Sequence, residues 1–224
     1  MSKDKLGYLS PEEQQVTGNL VAGLEPLKKR HPSLTQVDLV IEGGVGTGRI
    51  MHHIARRFFP NALYVGTDIS EMLVGKKGRK KGSIDDDTWQ RILRANEYAD
   101  LGIEGAILYG SCFDRELIRD IANKAGRQHA LLTTFNALNA LIYPDMNPLD
   151  KKDKDDIVSI PDMVRRPDSP FVGQLHLIYD EDLWTKDAQT TVTESNFKLL
   201  ELAGQTAGWT TDRFVNGLLL LRAA

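Results

Sequence analysis

Residues 37 to 49 read VDLVIEGGVGTGR, and no other stretch of the chain restricts its fold as much. Residues 37–41 form a short, mostly β-branched run of the kind found in a strand buried on both faces. The run ends at an acid, Glu42, and breaks into Gly43, Gly44, Gly46 and Gly48 before a helical pattern takes over at residues 50–59. A strand that opens through glycines into a helix leaves backbone N–H groups at a helix N-terminus, where a ligand can approach without meeting a Cβ. In open α/β sheets such ligands sit at the carboxyl ends of the strands.

The rest of the chain repeats the alternation. A second strand is expected at 62–67 (ALYVGT), ending at Asp68. A third is expected at 103–109, followed by Gly110-Ser111-Cys112-Phe113 and a helix that opens at Asp114. A fourth covers 130–135 (ALLTTF) and runs into Asn136, and 174–179 (QLHLIY) alternates like a fifth. Ser10-Pro11-Glu12-Glu13 is a helix start, with Val16, Leu20, Leu24 and Leu27 recurring on one face up to residue 30. The end reads as a helix over 196–207, a stop at Gly208 and two strands, 209–215 and 218–222, joined by Asn216-Gly217, a strong hairpin signal. Strand and helix in repeated alternation predict an α/β fold: a doubly wound, mostly parallel seven-stranded sheet with helices on both faces and a C-terminal antiparallel hairpin. Residues 1–36 form an N-terminal helical extension, and 37–224 the main domain. Within it, 144–172, rich in proline and carrying DKKDKDD, is expected as a long loop insertion. Both the extension and this loop are candidates for a lid over an acceptor.

Composition removes several function classes. A net charge of −3 offers no basic surplus for non-specific nucleic-acid binding. The basic stretch KKGRKKG at 76–82 is offset by the acids at 85–87 and reads as a solvated face or loop. The single cysteine, Cys112, excludes an intrachain disulfide and any multi-cysteine metal site, and the five histidines lack metal-ligand spacing, so no metal is expected. No run reaches the roughly 20 apolar residues of a membrane span, and the polar N-terminus lacks a signal-peptide core. The expectation is a cytoplasmic protein with no membrane partner.

The glycine loop selects among nucleotide-like ligands. It is neither G-x-G-x-x-G nor G-x-x-x-x-G-K-[ST], and an acid at the strand end repels a pyrophosphate. It favours a ligand with a cation or hydroxyl donors. E-x-G-x-G-x-G at 42–48 resembles the first motif of class I (Rossmann-like) S-adenosylmethionine-dependent methyltransferases. Residues 65–73 (VGTDISEML) are similar to that family's second-strand segment, whose acid holds both ribose hydroxyls. A carboxylate at Asp68 can accept from two adjacent O–H donors. The C-terminal LLELAGQTAGWTTDRFVNGLLLLRAA is also family-like, so the resemblance covers roughly 37–143 and 173–224.

The resemblance implies S-adenosyl-L-methionine (SAM) as cofactor, held by Glu42, Gly43, Gly44, Gly46, Gly48, Asp68 and Ile69. Ser111, Cys112, Phe113 and Asn136 complete that set. Where the family commonly carries Gly-Asp after its third strand, this chain has Gly110-Ser111, and Ser111 is expected to accept the adenine hydrogen bond instead. Asp114 reads better as a helix cap than as that acceptor, and Cys112 as a small buried filler rather than a nucleophile. Asn139 and Tyr143 line the acceptor site, or else belong to a capped helix with a buried tyrosine. His176 reads as a satisfied core histidine. No catalytic residue is assigned, since the local TTFNALNAL is not the Asn/Asp-Pro-Pro-aromatic motif of enzymes that methylate nucleic-acid amino groups. The function expected is methyl transfer from SAM to a small-molecule acceptor, with protein and RNA acceptors still open. A non-catalytic SAM-binding protein and a NAD-dependent oxidoreductase on a related fold are the alternatives.

Overall fold

The computed structural model of the chain describes residues 9–45, 48–68, 84–97, 103–112, 114–135, 137, 164, 171–178, 186–215 and 217–222. In chain order the elements are α1 (Pro11–Arg30), β1 (Leu39–Gly43), α2 (Arg49–Phe58), β2 (Leu63–Asp68) and α3 (Asp86–Glu97). There follow β3 (Ile107–Tyr109), α4 (Arg115–Ala125), β4 (Ala130–Phe135), β5 (Phe171–Leu177), α5 (Lys186–Thr206), β6 (Thr210–Phe214) and β7 (Gly217–Leu221). Short 3₁₀ turns occupy Pro32–Gln36 and Ile103–Ala106. The loop expected over 144–172 lies almost wholly outside the described residues.

The strands form one sheet in the order β3-β2-β1-β4-β5-β7-β6. The first five are parallel, while β7 runs antiparallel to both β5 and β6. This is the expected doubly wound sheet with its closing hairpin. Strand order reverses on either side of β1, so the carboxyl ends of β1, β2, β3 and β4 gather at one edge.

Successive side chains of each strand face opposite layers. On one side Val40, Tyr64, Ile107, Leu131, Leu175 and Leu219 pack with α1 and α2. On the other, Leu39, Ile41, Val65, Leu108 and Leu132 meet α3 and α4. Under α5, Leu218 and Leu220 meet Phe197, Leu200 and Ala203.

Of the extension assigned to residues 1–36, the described part, residues 9–36, is built into this core. Ser10 caps α1 through a reciprocal capping box with Glu13 (3.1 and 2.7 Å). Val16, Leu20, Leu24 and Leu27 are buried, each burial being worth about 1.5–3 kcal/mol relative to exposure. At one end of α1, Glu13 pairs with Arg49 of α2 (3.5 Å). At the other, Arg30 (3.2 Å) and His31 (2.8 Å) bind Asp212 of β6. Among the described residues no helix is long and apolar enough to cross a membrane.

Several element bounds depart from the expected pattern, with α5 beginning at Lys186 rather than 196 and β5 spanning Phe171–Leu177 rather than 174–179, and two departures have a local cause. The hairpin turn sits one residue earlier than Asn216-Gly217 implies, because Gly217 already pairs with Phe214 in the ladder, leaving 215–216 between the strands. A Cβ on Gly217 would meet the ring of Phe214 at 2.8 Å, so this glycine answers to packing inside β7. The third strand is also shorter than expected and pairs with β2 only from Gly66 onward. The side-chain amide of Asn96 fills the gap: it accepts from the backbone N–H of Tyr64 and donates to its carbonyl, both at 2.8 Å.

Candidate cofactor site

The glycine turn is held from below by β2. The amides of Gly44 and Val45 both donate to the carbonyl of Thr67 (3.0 and 3.2 Å), and the amide of Gly48 donates to Val45 (2.6 Å). These three N–H groups are therefore spent on the turn itself. Gly44 (φ 66) and Gly48 (φ 61) both lie in the left-handed region that favours glycine. Gly43 and Gly44 serve a second purpose. A Cβ on Gly43 would run into the Cys112 side chain, and one on Gly44 would reach the Cβ of Ala137 at 2.8 Å. The ends of β1, β3 and β4 thus meet with no room to spare. Gly110 joins them by donating to the carbonyl of Asp68 (2.9 Å).

Gly48 is the N-cap of α2 and supplies no side chain, so no cap closes the first turn of that helix. An uncapped helix N-terminus attracts a carboxylate. Two acids lie close by. Glu42 pairs in register with Gly66 of β2, and Asp68 stands two residues further along the same face. Asp68, at the carboxyl end of β2, is 8% exposed. Glu42 is 1% exposed, and the hydroxyl of Tyr64, equally buried, donates to its Oε2. Gly66 makes room for this contact: a Cβ there would stand 3.3 Å from the Tyr64 hydroxyl and 2.9 Å from Val45. Burial pushes the Glu42 carboxyl well above the usual carboxylate range. The Tyr64 hydrogen bond opposes that shift in part, and the charge of Asp68 adds to it.

His52, in the first turns of α2, lies against the Tyr64 ring with centroids 5.1 Å apart. It is 6% exposed, and its Nε2 has no hydrogen-bond partner. Burial, reinforced by Arg56 and His53, lowers its pKa to about 4, so it is neutral at physiological pH. It supplies no counter-charge to Glu42.

Of the expected site residues, Glu42, Gly43, Gly44, Gly48, Asp68, Ser111 and Cys112 come together at this edge of the sheet. Gly46, Ile69, Phe113, Asn136, Asn139 and Tyr143 lie outside the described residues. Cys112 turns its thiol into the core against Gly43, and burial raises its pKa to about 12, so it stays a neutral thiol and can offer a ligand only its backbone. Asp114 caps α4, its carboxylate accepting from Glu116 (3.0 Å) and Leu117 (3.1 Å). Tyr64 and His52 are the two members that sequence reasoning missed. Tyr64 looks like one more aromatic filler of a buried strand, and only the register that sets Gly66 beside Glu42 makes it a polar partner.

The donor set tests which group fits. Acids at adjacent strand ends suit an ammonium or vicinal hydroxyls, while an open helix N-terminus suits a carboxylate. An amino-acid-bearing nucleoside without phosphate satisfies all three, and SAM is such a molecule.

No protein-family model and no curated protein matches the chain. Among solved structures it is similar to the mitomycin 7-O-methyltransferase MmcR, with 13% identity and a TM-score of 0.42 over 92% of this chain and 53% of that one. It is also similar to an O-methyltransferase family protein from Burkholderia thailandensis (12%, TM-score 0.40, over 99% and 63%). A third is the magnesium protoporphyrin IX methyltransferase ChlM from Synechocystis PCC 6803 with bound SAH (16%, TM-score 0.42, over 94% and 83%). This chain thus spans 53% and 63% of the length of the first two. The strand order and the antiparallel β7 give it the doubly wound, seven-stranded α/β architecture that its resemblance to class I methyltransferases implies.

Proposed function

We propose that this chain binds SAM at the carboxyl ends of β1, β2 and β3 and transfers its methyl group to an acceptor, most simply a small molecule. The observation that carries the reading is the placement of two acids, Glu42 and Asp68, at the ends of adjacent strands beside a glycine turn that opens into an uncapped helix. Asp68 accepts from the two ribose hydroxyls. Glu42 faces the ammonium of the methionine part, and the N-terminus of α2 faces its carboxylate. Ser111, after β3, accepts from the adenine amino group.

The cofactor brings its own sulfonium leaving group, so the chain's work is to hold donor and acceptor close and aligned. Such positioning can supply about 7–11 kcal/mol of the barrier. A general base is required only if the acceptor must lose a proton before attack. Neither His176 nor Cys112 suits that role, because the first is fully engaged in the core and the second is a buried neutral thiol. The segment 144–172 and α1 are the proposed sources of acceptor contacts.

The test is calorimetric titration of the purified protein with SAM, its demethylated product S-adenosylhomocysteine, and NADH. Micromolar binding of the sulfur nucleosides with no NADH response is expected. A response to NADH alone would overturn the reading in favour of an oxidoreductase.

A further inference from the structure

Beneath the glycine turn lies a buried polar cluster whose chemistry is incomplete. Among the described residues, the only group that donates to the Glu42 carboxyl is the Tyr64 hydroxyl. Among the described residues no lysine or arginine contributes to its electrostatics, and the charge that acts on it is that of another acid, Asp68. His52, packed against the Tyr64 ring, is neutral and leaves Nε2 without a partner. A carboxyl buried to this degree either keeps a proton or acquires a cation.

We propose that Tyr64 is a positioning residue for the cofactor: its hydroxyl orients Glu42 and tunes its ionisation, so that an ammonium-bearing ligand binds at this edge as Glu42 gives up a proton. The inference rests on the SAM reading above and deepens it. In the step, the neutral Glu42 carboxyl loses its proton to the buffer, and the resulting carboxylate pairs with the ligand ammonium while still accepting from Tyr64. One proton leaves, and the charge buried with Glu42 is neutralised by the one that arrives.

Several other titratable groups face this cluster among the described residues. On β2 these are Tyr64 itself, whose pKa burial and Glu42 raise well above its ordinary value, and Asp68. After β3 there is Cys112, raised to about 12. On α2 there is His52, lowered to about 4, with His53 lowered by burial behind it beside Arg56. On α1 there is Glu13, paired with Arg49. The strand on the other side, β4, presents Thr133, which does not titrate.

The experiment is titration of S-adenosylhomocysteine into the protein between about pH 6 and about pH 8, in two buffers of different ionisation heat, to count protons. Adenosine, which has no ammonium, serves as the control probe. The wild type is expected to release up to one proton on binding S-adenosylhomocysteine and none on binding adenosine. Affinity for the former rises with pH by up to about tenfold per unit. Tyr64→Phe removes a bond that favours ionised Glu42, so its profile moves upward by about one unit. It binds roughly tenfold more weakly near neutrality and recovers as pH rises. Glu42→Gln binds weakly with no proton release at any pH. The ligand's own amine titrates alike in all variants and cancels in their ratios.

A purely structural role for Tyr64 would lower affinity by the same factor at every pH, and that result overturns the proposal. So does a wild type that binds S-adenosylhomocysteine with no proton released, which leaves the SAM reading intact. Failure of the wild type to bind any sulfur nucleoside overturns both. If Tyr64→Phe does not fold, the proton count of the wild type against Glu42→Gln decides.

Discussion

Two buried polar clusters sit on opposite faces of the same sheet, and they are built to opposite plans. On the α5 face, His176 of β5 is wholly buried and fully satisfied. Its Nδ1 accepts from Thr134 (2.9 Å) and its Nε2 donates to Gln174 (3.1 Å). Burial lowers its pKa to about 3, so it is neutral, and both ring nitrogens are used. On the α2 face, among the described residues, Glu42 has one donor, His52 has an orphaned nitrogen, and an acid stands beside them. A polar group buried without a partner costs about 1–3 kcal/mol. The first cluster incurs no such cost, and the second carries it at the carboxyl ends of the central strands. Incompleteness at that place in an α/β sheet points to something that binds there, while completeness points to a core that needs nothing more.

Binding and stability, measured on the same variants, separate the two clusters. Asp68→Ala, on the open side, is expected to weaken SAM binding by about a hundredfold or more, through loss of two hydrogen bonds to a charged acceptor. Its unfolding free energy should stay within about 1 kcal/mol of wild type. Unchanged affinity in a calorimetric titration sinks the ribose assignment.

His176→Leu, on the closed side, should do the reverse. Thr134 and Gln174 each lose a hydrogen bond, which costs about 2–3 kcal/mol in urea denaturation near pH 7, while affinity for SAM holds within about twofold. The pH dependence of this cost has a definite sign. The folded pKa of His176 is depressed below its unfolded value, so the neutral histidine's stability is fully present above about pH 6.5. It is lost as pH falls toward about 3, at up to about 1.4 kcal/mol per unit. The cost of His176→Leu should therefore shrink by about 2 kcal/mol between pH 7 and about pH 5. A cost independent of pH would mean that His176 is not held neutral.

Gly44→Ala falls between these two, because it strains the turn that joins the open cluster to its neighbours. The positive φ costs about 1–2 kcal/mol, and the contact with Ala137 adds to it. Both stability and SAM affinity should fall, unlike either variant above, as seen by thermal unfolding and titration side by side. The smallest effect is expected from Ser10→Ala, which removes the α1 cap at about 1 kcal/mol and leaves both clusters as they were. A change in SAM affinity in that variant would show that α1 reaches the site.

Much of this fold was legible because its signals are local. The apolar run before Glu42, the caps at Ser10 and Asp114 and the glycine stop at 208 report chain direction and element ends within a few residues of themselves. Each was met close to where it was expected. The placement of β1 at Leu39–Gly43 rather than 37–41 shows the limit. Hydrophobicity marks what is buried, whereas the strand ends where its ladder ends, and that depends on β2 and β4. Asn96 standing in for missing β3 pairing, and Gly217 serving β7 rather than the turn, are the same lesson at other edges.

The candidate site divides in the same way. The ligand class proposed for it rests on Glu42, the glycines and Asp68, whose residue types and spacing are local features of the chain. Cys112, expected as a buried filler, is one, but what the chain alone could not disclose is that two of those glycines are also spacers between strands and that Tyr64 holds Glu42. These are facts of sheet register, in which residues 22 apart in sequence become neighbours only when β1 and β2 align. Local pattern determined the elements, their order and the chemistry they could present. Only the tertiary structure decided which buried groups find partners and which are left waiting for one, because burial and hydrogen bonding are properties of the packed sheet and not of any segment within it.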